Sequence, residues 1–215
     1  MADLLTKICS KYGCDKSDKN HKYTPRYNAL FEKIRLKKFN LLEFGFGQGK
    51  SVKMWMEYFP NANIVSVDTR KDLPNDKLIQ KYAKGKRFHF LSSDQIDKKR
   101  VQKILRNYGS FYIIIDDASH KAEDQQFTMS FSFPYVEPGG WYIIEDLKCK
   151  RSHNKLFKVK ADKTLRLLEN YIINKKFNSK ILSQNENLYL EKWIEKVSIY
   201  DKIAFIKRRG NKLWI

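Results

Sequence analysis

Apolar residues in this chain come in short unbroken runs, most of them closed by an acid, and stretches that read as helices lie between them. Asn40–Phe44 (NLLEF) is a predicted strand that runs into a glycine turn, and Ser51–Tyr58 then reads as a helix ending near Pro60. Asn63–Val67 (NIVSV) predicts a second strand ending at Asp68. Arg87–Leu91 (RFHFL) predicts a third, followed by Ser92, Ser93 and Asp94. Lys98–Asn107 reads as a helix. Phe111–Ile115 (FYIII) predicts a fourth strand, ending in Asp116 and Asp117, and Gln125–Phe131 reads as helical. Pro138, Gly139 and Gly140 predict a turn, and Trp141–Ile144 a fifth strand ending in Glu145 and Asp146. Leu165–Lys175 reads as a helix, and Val197–Tyr200 with Ile203–Lys207 as a closing hairpin around Asp201 and Lys202.

Strands that are apolar throughout and separated by helices are buried on both faces. The pattern therefore predicts an α/β fold: a Rossmann-like doubly wound, mostly parallel seven-stranded sheet with an antiparallel C-terminal hairpin and helices on both faces. In such sheets ligands bind beyond the carboxyl ends of the strands. The acidic clusters lie at strand carboxyl ends, which places a ligand site there. The expectation is one domain over residues 1–215, with 1–36 as an N-terminal helical lid and 148–190 as a basic insertion holding the acceptor region.

Composition narrows the class. With 215 residues and 42% hydrophobic content, the chain is long and apolar enough for a real core. No apolar run approaches the ~18 residues of a membrane span. The stretch from Met1 to Tyr12 lacks a signal-peptide core. Three cysteines (Cys9, Cys14, Cys149) show neither metal spacing nor a disulfide framework. Together these predict a cytoplasmic protein with no membrane partner; a homo-oligomer is compatible with them. The net charge of +19 is uneven: Lys148–Lys180 holds eleven Lys or Arg against two acids. A polyanionic partner (nucleic acid, phosphorylated glycan or nucleotide sugar) would use such a patch, and a lysine-rich solvated surface without a partner is the plain alternative.

Three motifs carry chemistry. In Glu43-Phe-Gly45-Phe-Gly47-Gln-Gly49, glycines directly after a strand allow a tight turn and close approach of backbone to a ligand. A dinucleotide fingerprint starting at Gly45 would need glycine at Lys50; the G-x-G-x-G form instead looks like the S-adenosylmethionine (SAM) loop, with a glycine turn of an unrelated nucleotide fold as the plain alternative. Asp68 lies 19 residues beyond Gly49 at the end of the second strand, where an acid accepts ribose hydroxyls. The second and third motifs are Asp116-Asp117-Ala-Ser-His120 and Glu145-Asp146. Neighbouring strands would bring Asp117, Glu145 and Asp146 together, and three carboxylates so placed repel unless a cation intervenes. Hard oxygen ligands suit Mg²⁺ better than zinc; capping of helices by the same acids is the plain alternative. His120, three residues past Asp117, would face the same pocket and could act as a general base on an acceptor hydroxyl, with a structural histidine as the plain alternative. A polar, aromatic stretch from Asp15 to Tyr27, including Tyr23 and Thr24, precedes the first strand as a lid over the cofactor or as a capped helix.

These residues resemble the metal-dependent sugar O-methyltransferases of antibiotic biosynthesis, the mycinamicin and macrocin type, and their cephalosporin hydroxylase-like relatives. The resemblance rests on His21–Thr24, LLEFGFGQG, MWMEYFPNANIVSVD, IIIDDASH, PGGWYIIEDL and SIYDKIAFIK. It implies a SAM-dependent O-methyltransferase with Mg²⁺ on Asp117, Glu145 and Asp146, His120 as base, and vicinal sugar hydroxyls on the metal. The cofactor contacts expected are Glu43, Gly45, Gly47, Gly49, Asp68, Ser93, Asp94 and Asp116, with Tyr23 and Thr24. The acceptor implied is a sugar-containing molecule: a glycan, nucleotide sugar or glycoside. The charge keeps RNA or another polyanion as a second acceptor class, and a catechol-type enzyme as a third reading. The segment from Lys148 to Asn187 has no counterpart in the resemblance.

Overall fold

Apolar runs become strands where sequence alternation breaks down. The computed structural model describes residues 2–149 and 152–210. Met1 of the N-terminal stretch, and Lys150 and Arg151 of the basic segment, lie outside the described residues. Seven strands follow in chain order: β1 (Asn40–Phe44), β2 (Asn63–Asp68), β3 (Phe88–Ser92), β4 (Phe111–Asp116), β5 (Val136–Ile144), β6 (Ile194–Tyr200) and β7 (Ile203–Arg208). They form a seven-stranded sheet in the order β3-β2-β1-β4-β5-β7-β6. β7 pairs antiparallel with both β5 and β6. This is the mostly parallel Rossmann-like sheet with an antiparallel hairpin that the pattern predicts.

The chain divides into two compact units, residues 1–92 and 93–215. In the first, β1 and β3 each pair parallel with β2, and Leu41–Phe44 and Ile64–Val67 are buried without interruption. The helices here are α1 (Leu4–Lys11), α2 (Thr24–Phe31), α3 (Lys50–Tyr58) and α4 (Lys77–Lys84). Aromatic rings join them: Tyr27 meets Trp55 edge-on at 5.1 Å, and Trp55 stacks on Phe59 at 5.7 Å. Tyr58 Oη donates to Asn28 Oδ1 at 3.0 Å. The N-terminal helices are thus part of this unit's packed core.

In the second unit β4 and β5 pair parallel, and α5 (Lys98–Tyr108), α6 (Ala122–Ser132), α7 (Thr164–Asn174) and α8 (Gln184–Trp193) complete it. The predicted turn at Pro138-Gly139-Gly140 lies inside β5 instead. The register jumps from Phe111↔Val136 to Ile113↔Trp141, so the tripeptide is a bulge. Glycine is required there: a Cβ on Gly140 would sit 2.6 Å from the Tyr112 carbonyl oxygen. Two helices escaped the apolar pattern, α4 and α8. Their signals are caps: Asp76 accepts from the Leu78 and Ile79 amides, and Ser183 with Glu186 forms a capping box.

Candidate active site

The glycine loop belongs to the first unit. Gly45, Gly47 and Gly49 have φ of 95°, 52° and 74°, the left-handed region that side chains resist. Gly45 N–H donates to the Val67 carbonyl at 2.8 Å, tying the loop to β2. Asp68, at the end of β2, gathers the loop: its Oδ2 accepts from Phe46 N–H at 2.7 Å and Gly47 N–H at 3.3 Å, and its Oδ1 from Arg70 N–H at 2.9 Å. Burial pushes the Asp68 pKa up, but the Arg70, Phe46 and Gly47 amides outweigh it and hold the carboxyl below its usual range. Oδ1, with one N–H donor, keeps a lone pair for a hydroxyl, while Oδ2 already accepts two. A Cβ on Gly47 would meet no heavy atom within 4 Å, so that side of the loop is open to a ligand.

Other predicted cofactor residues of this unit face inward. Glu43 is fully buried, and its carboxylate accepts from Ser51 Oγ at 2.7 Å and Trp55 Nε1 at 3.2 Å. Thr24 is buried with its hydroxyl 2.7 Å from that of Thr6. Tyr23 is buried and stacks on His21 with centroids 5.3 Å apart.

In the second unit, Ser93 is buried with Oγ donating to the Asp94 carbonyl, and Asp94 is exposed, its Oδ1 capping Ile96 N–H at 3.1 Å. Asp116 is buried, and Gln95 Nε2 donates to its two oxygens at 3.3 and 3.4 Å. Burial, with the charges of Asp117 and Asp124, pushes the Asp116 carboxyl up to about 7 against the Ala118 amide and Gln95. Gln95 Oε1 also accepts Ser119 N–H at 2.9 Å, fixing the start of the Asp117–His120 segment.

Asp117, His120 and Asp146 converge: one ligand-capable atom from each lies within 4.8 Å of the others. Glu145 is buried beside Asp146 and is not in this group. His120 Nε2 is 3.7 Å from Asp146 Oδ2, while His120 Nδ1 is buried with no hydrogen-bond partner among the described residues. His120 and Asp146 have φ of 58° and 56°. Holding two non-glycine residues left-handed costs of order 1–3 kcal/mol each, and such strain concentrates at functional sites. The donor set fits a divalent cation. Two ligands of one octahedral ion at ~2.1 Å lie about 3 Å apart when adjacent and about 4 Å apart when opposite.

A set of residues that sequence reasoning missed stands just beyond His120. α6 opens with Glu123, Asp124, Gln125 and Gln126, all buried. Glu123 Oε1 lies 2.9 Å from His153 Nδ1 and accepts Ala161 N–H at 3.0 Å, and its Oε2 accepts Asn154 N–H at 3.3 Å. Asp124 bridges Asn154 Nδ2, at 2.5 Å, and Ser119 Oγ, at 2.6 Å. Gln126 Nε2 donates to the Asp162 carbonyl at 2.6 Å. Burial pushes the Glu123 pKa up, but His153 and the Ala161 and Asn154 amides bring it below the usual carboxylate value. The signal in the sequence was four polar residues in a helix that otherwise reads as core.

No family model matches the chain. Among characterised proteins it is 35% identical over 152 residues to the 8-demethyl-8-(2-methoxy-alpha-L-rhamnosyl)-tetracenomycin-C 3'-O-methyltransferase of Streptomyces olivaceus. It is 33% identical over 150 residues to the mycinamicin VI 2''-O-methyltransferase of Micromonospora griseorubida. The fold superposes on the MycE methyltransferase of the mycinamycin pathway, solved with Mg, SAH and mycinamycin VI, at a TM-score of 0.77 and 27% identity over 99% of this chain. The chain is a homologue of the sugar O-methyltransferases. Each of the two sequence matches takes in 66% of this chain but 36% of the relative, and the MycE match 57% of that chain. This homologue therefore spans only part of the length of its relatives. Among its described residues no helix is long and apolar enough to cross a membrane.

Proposed function

We propose that the chain is a SAM- and Mg²⁺-dependent O-methyltransferase acting on a sugar hydroxyl of a glycan, nucleotide sugar or glycoside. The observation that carries this is the Asp117–His120–Asp146 group, with two of its residues strained left-handed, in a homologue of sugar O-methyltransferases. Asp117 and Asp146, with Glu145 behind them, would hold the cation, and a divalent charge there makes a neighbouring hydroxyl more acidic. His120 takes the hydroxyl proton. Asp146, 3.7 Å from His120 Nε2, stabilises the imidazolium that results. SAM, when bound, would supply the methyl group, its carbon–sulfur bond breaking as the acceptor oxygen bonds to the carbon, with SAH as the leaving product. In the first unit the Gly45–Gly49 loop and Asp68 would meet the cofactor, with Glu43, Tyr23 and Thr24 supporting them from within. In the second, Ser93, Asp94 and Asp116 are the cofactor residues proposed. Residues 1–36 are the proposed lid side and 148–190 the acceptor side of a single catalytic domain.

The test is SAH release against neutral glycosides, nucleotide sugars, a catechol and a capped RNA, with Mg²⁺ and with EDTA. Turnover of a sugar that EDTA abolishes is the expected result. Turnover of RNA alone, indifferent to EDTA, refutes the reading. Mn²⁺ binding followed by electron paramagnetic resonance reads the metal site without activity: Asp117→Asn and Asp146→Asn each weaken it about tenfold or more, and unchanged binding in both removes the metal assignment.

A further inference from the structure

The basic segment after β5 is held against α6 by side chains that are themselves buried. Asn154 and Ala161 fix its two ends to Asp124 and Glu123, and Phe157 packs edge-on against Phe127 at 5.4 Å. Between these anchors Lys155, Lys158 and Lys160 are exposed, and none pairs with a carboxylate among the described residues. Lys148, Lys176 and Lys207 of the same unit are paired, with Asp201, Glu191 and Glu195, while Lys99, Lys103 and Lys163 stand without a carboxylate among the described residues, as Lys155, Lys158 and Lys160 do; what sets the latter three apart is the anchored stretch they share. The segment's own acid, Asp162, is taken by Lys180 at 3.1 Å. Leu156 and Val159 alternate with these lysines at 78% and 51% exposure. A merely solvated basic surface needs no such anchoring. Here four buried side chains, Glu123, Asp124, Gln126 and Asn154, fix a short stretch of unbalanced positive charge, and Asp124, which binds it, also binds Ser119 next to His120.

We infer that residues 154–163 recognise an acceptor sugar carried on a phosphate group, with Lys155, Lys158 and Lys160 meeting the phosphate. This rests on the O-methyltransferase reading and narrows its substrate class. Three compact ammonium charges on a fixed loop suit a phosphate group at the sugar's anomeric end. RNA would add base stacking, and the exposed side chains interleaved with these lysines are aliphatic, not aromatic. Two sources share the chemistry, a nucleoside-diphosphate sugar and a polyprenyl-phosphate-linked sugar; Leu156 and Val159 would touch the carrier only in the second.

The experiment measures kcat/KM by SAH release for one sugar in four forms: methyl glycoside, 1-phosphate, nucleoside diphosphate, and polyprenyl phosphate in detergent. The phosphate forms are expected to exceed the glycoside by about tenfold or more at low salt, as three exposed charge pairs allow. Combined Lys155→Gln, Lys158→Gln and Lys160→Gln should bring that ratio near one, with melting temperature and SAM affinity as in wild type. Leu156→Ser with Val159→Ser lowers only the polyprenyl form if that is the source, and leaves all forms alike if the nucleotide is. A glycoside used as well as the phosphates, or a triple variant that keeps the preference, overturns the inference and leaves the O-methyltransferase reading intact. If no sugar turns over, that reading fails. Calorimetric titration of uridine diphosphate then decides the loop: weaker binding to the triple variant upholds a phosphate site, and equal or absent binding to both proteins overturns it. A short RNA that displaces uridine diphosphate at far lower concentration also overturns it.

Discussion

Alanine at Gly49 and at Gly47 should separate what the glycine loop does for folding from what it does for the cofactor. Both positions are left-handed, with φ of 74° and 52°, so either alanine costs about 1–2 kcal/mol in backbone strain. At Gly49 the new Cβ also meets Phe46 Cζ at 2.6 Å and Ile79 Cδ1 at 2.9 Å, closer than such atoms pack. The Phe46 ring cannot yield freely. It lies 6.2 Å from Phe88 and 5.3 Å from Phe90, and Arg70 covers it at 5.6 Å. Overpacking of this kind adds about 1–3 kcal/mol. Gly49→Ala should therefore lose about 2–5 kcal/mol, a fall in melting temperature of roughly 5–15 °C for a chain this size. Gly47→Ala meets no atom within 4 Å and should lose roughly 2–6 °C from backbone strain alone. Its added methyl projects into the open side of the loop, so SAM affinity measured by calorimetry should drop about tenfold or more while the fold survives. Equal melting temperatures for the two variants would refute the packing argument, and unchanged SAM affinity in Gly47→Ala would remove the loop from the cofactor site.

The remaining predictions test single contacts. Asp68→Asn keeps the side-chain shape but replaces a charged acceptor of three backbone N–H groups; SAM affinity should fall about tenfold by calorimetry. His120→Gly should melt above His120→Ala by about 2–4 °C, because at φ of 58° alanine keeps the strain that glycine relieves, reversing the usual order; both should lose ~10²-fold or more in turnover. Glu123→Gln removes the charge that binds His153, Ala161 and Asn154 and should cost about 2–3 kcal/mol at neutral pH in thermal unfolding. Since the folded carboxyl titrates below its ordinary 4.5, that stabilisation is full above 4.5 and lost as pH falls through the lower folded value, so the two melting curves should converge in acid.

The sheet was legible because its parallel strands are short and mostly apolar, and β1, β2 and β4 are buried over most of their length. The misreading of Pro138-Gly139-Gly140 has a local cause. Proline and glycine signal turns and bulges alike, and only the cross-strand oxygen of Tyr112, 2.6 Å from a Cβ at Gly140, decides for the bulge. α4 and α8 were missed because so few of their residues are buried, Ile79 in one and Leu190 in the other, and each is short and mostly polar.

The Asp117–His120–Asp146 group was legible in part for a similar reason. Asp117 and Asp146 end adjacent parallel strands, so strand order alone brings them together. The approach of His120 depends on a left-handed turn that spacing does not reveal. The acids of α6 were harder still. Buried Glu123 and Asp124 read locally as ordinary first-turn acids favoured by the helix dipole, and their partners lie about thirty residues on, in a segment without regular structure. A buried carboxylate must find donors or lose its charge. Here the donors are backbone amides and an asparagine of the basic segment, so the same acids that follow the Asp117–His120 motif also set where the lysines stand. Local sequence shows each half of that arrangement, the acids after His120 and the lysines after Asp146. Only tertiary structure shows that one half holds the other.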